Sequence, residues 1–157
     1  MLNLFFLAVI VSTALLLGNE FSVSAFVHPT LARKDHRGFL PAIQTFASLF
    51  GTVMPFWMGA TLCAHAVLLV ATWGWSWRAT LLLLASCILW IGIVVFSVLG
   101  PVPINNQVRA WILDALPADW EAQRRRWDRL NAARVALVAV AFVCLILAYK
   151  NSPVGRS

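Results

Sequence analysis

Charge is what this sequence has least of. Only 11% of its 157 residues are Asp, Glu, Lys or Arg, against about 25% in a soluble domain. Acids are the scarcer sign, six against twelve Lys and Arg. A paired dithiol is missing as well: Cys63, Cys87 and Cys144 fall in three different apolar runs. A four-helix thiol oxidoreductase passes electrons through a Cys-x-x-Cys pair. That class is excluded, and the three thiols are expected to be small core residues. No soluble basic domain and no nucleic-acid-binding motif occurs. The net charge of +6 is then explained by anionic lipid headgroups.

What the chain does have is apolar length. Hydrophobic residues make up 61% of it, and the mean hydropathy is +0.82. Four runs stand out: Leu2–Val27, about Thr45–Trp73, Ala79–Leu99 and Leu130–Tyr149. Each meets the ~20 residues that an α-helix needs to cross a ~30 Å hydrocarbon core. Backbone groups in lipid must be satisfied within the segment, so the runs are helices. They are continuous rather than alternating, which excludes a barrel. The expected fold is all-α: one integral membrane domain over residues 1–157, with transmembrane helices at about 2–27, 45–73, 79–99 and 130–149. A basic interfacial segment of about 30 residues joins helices three and four.

The first run is read as a retained helix rather than a signal peptide. Met1-Leu2-Asn3 carries no positive charge and the run is long for an h-region, although Ser22-Val23-Ser24-Ala25 resembles a cleavage site. Nine basic residues (Arg33, Lys34, Arg37, Arg109, Arg124, Arg125, Arg126, Arg129 and Arg134) fall in or beside the two connections on one side. Arg78, Lys150 and Arg156 fall on the other. The excess places the basic side in the cytoplasm, and a bacterial inner membrane is the expected location.

Polar residues inside the apolar runs carry the functional information. Glu20 lies deep in the first run, where a charge costs about 2.5–3.5 kcal/mol on insertion scales and is usually retained for chemistry or ion handling. Glu20, Ser24 and His28 are spaced i, i+4, i+8, which predicts one polar stripe. It extends ~12 Å along the helix axis. Pro29 is expected to end the helix near His28, and Asn19 to face another way. In Gly100-Pro101-Val102-Pro103-Ile104-Asn105-Asn106, two prolines are expected to stop helix three. The turn would present Asn105 and Asn106, whose amides can hold a ligand oxygen or orient a base. Val108, Trp111 and Ile112 then suggest a short interfacial helix.

Pro117 and Asp119 read as a helix start. Trp120, Arg124, Trp127, Asn131 and Arg134 follow at steps of four, three, four and three, the spacing of a packed seam. Seams are normally aliphatic; this one is aromatic, cationic and amide. Arg125, Arg126 and Arg129 point outward, and Arg134 is the natural partner for Glu20 or His28. Structural readings stand beside each of these: an interhelical ion pair for Glu20, capping asparagines, and an interfacial aromatic belt for the tryptophans. Pro55 is expected to kink helix two. His65 reads as a hydrogen-bonded core residue and His36 as solvated.

The chain resembles the anthrone oxygenase-like family of small four-helix membrane proteins. The resemblance runs over nearly the whole length. It rests on Gly18-Asn19-Glu20-Phe21 with His28-Pro29, on Pro103-Ile104-Asn105-Asn106, and on Trp120, Arg126-Trp127, Asn131 and Arg134. It implies a membrane-embedded oxygenase that converts a lipophilic, anthrone-like aromatic with O2. Catalytic roles would fall to Glu20, His28, Asn105, Asn131 and Arg134; Ser24, Asn106, Trp120, Arg124 and Trp127 would bind substrate. A buried carboxylate such as Glu20 suits a base, with His28 as the alternative, and the amides and Arg134 suit an oxyanion. No cofactor is expected, with copper or iron on Glu20 and His28 as the other option.

Two rival functions stay open. Small proton-coupled multidrug transporters also carry one glutamate in helix one, although arginines at the mouth repel cationic cargo. A non-catalytic scaffold acting through the basic face is the other. The expected partners are a lipophilic small molecule, O2 and membrane lipids, with no nucleic acid; homo-oligomerisation is undecided.

Overall fold

The computed structural model describes residues 1–155. Among them there is no β-strand, only an isolated bridge between Ile112 and Ala115. Four helical stretches are long and apolar enough to cross a bilayer: Leu2–Leu31, Arg37–Ala71, Trp77–Ala110 and Trp120–Asn151. All four outlast the apolar runs because each carries a polar extension at the basic end of the bundle.

The first stretch is not a uniform helix. α1 (Leu2–Ser22) passes into a π-type turn (Val23–Val27) and then into α2 (His28–Leu31). The cause lies in Pro29, which has no N–H to donate and whose ring crowds the carbonyl four residues back. One wider turn, closed by the His28 N–H on the Val23 carbonyl, lets the chain continue. The expected stop at His28 is therefore replaced by a register shift.

α3 (His36–Ala71) starts at Asp35, whose side chain accepts a hydrogen bond from the Gly38 N–H at 2.9 Å, and holds Pro41 and Pro55 within its length. The side chain of His36, expected to be solvated, lies outside the described residues. α4 (Trp77–Leu99) is followed directly by α5 (Pro101–Ala110). The expected extended turn is thus helix: Pro101 sits at the first helical position, where a missing N–H costs nothing. The bend falls on Gly100, where a Cβ would stand 3.0 Å from the Phe96 carbonyl and 3.4 Å from Leu130. Trp111 and Ile112, expected within an interfacial helix, come after α5 ends. α6 (Trp120–Asn151) begins ten residues before its apolar run.

Heptad-like seams hold these helices together. On α6 the buried positions are Trp127, Asn131, Arg134, Val138, Ala141, Leu145 and Ala148, at alternating steps of four and three. On α1 they are Phe6, Val9, Thr13, Leu16 and Glu20. α4 and α6 share the most extensive interface. There the Ser86 hydroxyl donates to the Ala141 carbonyl at 3.0 Å, close packing of the kind small residues permit in lipid. Trp57 Nε1 donates to the Ser12 hydroxyl at 3.1 Å and joins α3 to α1. Of the three cysteines, Cys87 is buried and Cys144 half-buried, as expected; Cys63 instead faces outward from α3.

Candidate active site

At the basic end the seams part around a cavity of about 250 Å³. One wall is apolar and comes mainly from α3: Phe46, Phe50, Met54 and Met58. The polar part of the lining comes from Asn19, Glu20, His28, Asn105, Asn106, Arg109, Trp127 and Arg134. Glu20, Asn105 and Arg134 therefore share one space, as the sequence suggested.

Glu20 is 3% exposed and Arg134 9%. Arg134 Nη2 donates to Glu20 Oε2 at 2.6 Å, tying α1 to α6 across 114 residues. The same nitrogen donates to Asn131 Oδ1, also at 2.6 Å. Two buried charges are tolerated because they neutralise each other; removing either partner of such a pair costs about 3–5 kcal/mol. Asn131 is fully buried and is not part of the cavity wall. It steers Arg134 from behind rather than meeting a ligand, a correction to the expected catalytic role.

His28 is fixed by a second pair. Its Nδ1–H donates to Asp128 Oδ1 at 2.8 Å, and its ring stacks on Trp127 with centroids 3.9 Å apart and planes 16° from parallel. A carboxylate only accepts, so this bond assigns the proton to Nδ1 and leaves Nε2 as the nitrogen free to take a proton. Asp128 in turn accepts from Arg124 Nη1 at 3.5 Å, one turn away on α6. The sequence reading passed over Asp128. Its signal was a carboxylate directly beside Trp127 and four residues after Arg124, hidden among exposed charges.

Several expected residues lie elsewhere. The π-type turn carries Ser24 off the cavity face, and Val23 lines the wall in its place. Asn19, expected to face away, also lines the cavity, with its side-chain amide 3.7 Å from Met54 Sδ. Trp120 packs on Phe39 at 5.8 Å, outside the cavity. Arg124 borders only a small crevice behind Trp127. Asn105, Asn106 and Trp127 are on the wall as expected.

His65 is a core residue: fully buried, with Nδ1 on the Thr61 carbonyl of its own helix at 2.7 Å. Among the described residues no three of His, Cys, Asp and Glu come together as a metal-ligand set, so none forms around Glu20 and His28. Trp127 Nε1, Asn131 Nδ2 and Arg134 Nε, all on the α6 seam, are buried donors without a protein acceptor. Unsatisfied buried polar atoms are rare in native interiors; Trp90 Nε1 and His65 Nε2, in the packed core, lack a protein partner as well.

A four-helix bundle of membrane-spanning length, with a largely apolar cavity that holds a cluster of polar groups at its basic end, defines the class. The family model described as anthrone oxygenase matches residues 42–144, more than half of the chain. The chain belongs to the anthrone oxygenase family. The match takes in Asn105, Asn106, Trp127, Asp128, Asn131 and Arg134 and begins after Glu20 and His28, so the first helix of the expected resemblance lies outside it. No curated protein and no solved structure matches the chain.

Proposed function

We propose that this chain is a membrane-embedded oxygenase that converts a flat, lipophilic aromatic bearing an acidic C–H, of the anthrone type, with O2 as oxidant. One observation carries the reading. A histidine oriented by a carboxylate and an arginine held by a carboxylate face the same largely apolar cavity.

The reaction replaces a ring CH2 and O2 by C=O and H2O. His28 Nε2 takes a proton from the ring methylene, and Asp128 supports the imidazolium that forms. The negative charge moves to the carbonyl oxygen of the substrate, where Arg134 and Asn105 stabilise the enolate. The enolate passes one electron to O2, and the two radicals combine at the ring carbon as a peroxide anion. Protonation gives a hydroperoxide. Loss of the remaining C–H proton and of hydroxide then yields the ketone and water. Glu20 serves as the counter-ion that holds Arg134, and His28 takes the part of base for which the sequence first suggested Glu20. The guanidinium beside Glu20 also speaks against a cation exporter, since the carboxylate charge is already neutralised.

The basic end faces the cytoplasm in this reading, in a bacterial inner membrane. The test is uptake of 18O2 with an anthrone by purified protein in nanodiscs, after exhaustive chelation. The expected result is one 18O in each product ketone, with stoichiometric water and no need for added metal. Absence of turnover over the spontaneous rate, with anthrones of varied substitution, sinks the reaction. Turnover that disappears on chelation and returns with copper or iron replaces the direct route with a metal-dependent one.

A further inference from the structure

The cavity is not sealed on all sides. On α3, Ala47, Gly51, Pro55 and Gly59 line it at steps of four. Facing them along α4 and α5 are Val98, Val102, Asn106 and Arg109, at steps of four, four and three. Gly51, Pro55, Val98, Asn106 and Arg109 also lie exposed on the outside of the bundle, Val98 by 56%. Residues that belong at once to the cavity wall and to the outer surface mark a mouth. This one runs lengthwise between α3 and α4–α5, and at the level of Val98 it opens where acyl chains lie.

Small side chains keep it open. A Cβ on Gly59 would have nothing within 4 Å, and one on Gly51 would meet only Arg109 Nη1 at 3.5 Å. Arg109 sits at the interfacial end of the slot, in the last turn of α5. None of the ion pairs among the described residues includes it. A guanidinium in that position is a receptor for carboxylate or phenolate oxygens.

We propose that the ligand enters sideways from the bilayer through this slot and is an amphiphile: a flat apolar body that occupies the cavity and an acidic group that Arg109 holds at the interface. The inference rests on the cavity being a substrate site, and Arg109 would set specificity at its mouth. Depth is then fixed by the ligand itself, because an acid tethered at the interface controls how far the rings reach inward.

Binding tests this separately from turnover. 9-Anthracenecarboxylate and neutral 9-methylanthracene are titrated into the full chain in phosphatidylcholine nanodiscs, read by energy transfer from tryptophan. The carboxylate should bind about tenfold or more tightly than its neutral counterpart, the worth of one charge-assisted hydrogen bond. Arg109→Gln should abolish the preference and leave the neutral probe unaffected. Val98→Trp should slow association of both probes several-fold, while Leu99→Trp, exposed as well but off the slot, should not. Equal affinity of the two probes overturns the role of Arg109, as does a preference that persists in Arg109→Gln or vanishes when phosphatidylglycerol is added, which assigns the arginine to lipid. An unchanged association rate in Val98→Trp overturns the lateral route. Binding as expected without any oxygen uptake leaves this inference standing and sinks only the reaction.

Discussion

Toward the start of α1, Phe6, Val9, Leu68, Leu83, Leu145 and Ala148 close the bundle into a filled core. Toward the basic end the same helices enclose a cavity bordered by Glu20, His28, Trp127 and Arg134. Each region has a buried histidine, and the two contrast. His65 bonds through Nδ1 to a carbonyl of its own helix, and its ring packs 5.7 Å from Trp90 inside the core. His28 is gripped by a carboxylate and an indole supplied from a helix 100 residues away. A polar residue that answers to its own helix stabilises that helix. One that is held by other helices and faces open space is poised to act on something else.

The contrast can be broken most severely at His28. His28→Gln should lower turnover by about 100- to 10,000-fold, the range of a lost general base, with little change in thermal unfolding. His65→Phe should leave turnover at the wild-type level. If the two variants lose activity equally, the distinction between the histidines fails. Arg134→Met strands Glu20 in a low-dielectric interior and should destabilise the protein by about 3–5 kcal/mol, read by thermal unfolding in detergent. Adding Glu20→Leu to that variant should restore most of the stability but not the activity; stability that stays lost would mean that the pair is not coupled. Leu83→Ala, in the filled region, should cost about 2 kcal/mol, the lower end of the range for soluble cores. Lipid receives the exposed apolar surface as readily as the core did, so only packing is lost. Turnover should persist in this variant. Smallest is Gln44→Leu. Gln44 Nε2 donates to the carbonyls of Val108 at 3.1 Å and Trp111 at 2.9 Å, fastening the end of α5 to α3. Its loss should cost about 1 kcal/mol and show as faster hydrogen exchange in α5 alone.

Much of this architecture is legible in the residues. Apolar length gives four helices, and a heptad step along α6 gives Arg134 an inward direction toward Glu20 or His28, of which the structure selects Glu20. What escaped the reading did so for local reasons. Extrapolating a straight helix through Glu20, Ser24 and His28 assumes an unbroken period, and Pro29 breaks it. Proline also suggested a stop after Gly100, whereas at a first helical position it starts one. Asp128 looked like one more surface charge, because the pairing that gives it meaning comes from the other end of the chain. The slot beside α3 is built from what Gly51 and Gly59 do not have, and missing side chains reveal themselves only once their neighbours are placed.

The link between Glu20 and Arg134 also sets a schedule for biogenesis. Ribosomes deliver the first helix to the bilayer long before the fourth, so the nascent chain carries a lone acid with no guanidinium to meet it. The bundle can lock only once the fourth helix has been delivered. Chains truncated before residue 134 should therefore be cleared by membrane quality control instead of accumulating as three-helix fragments.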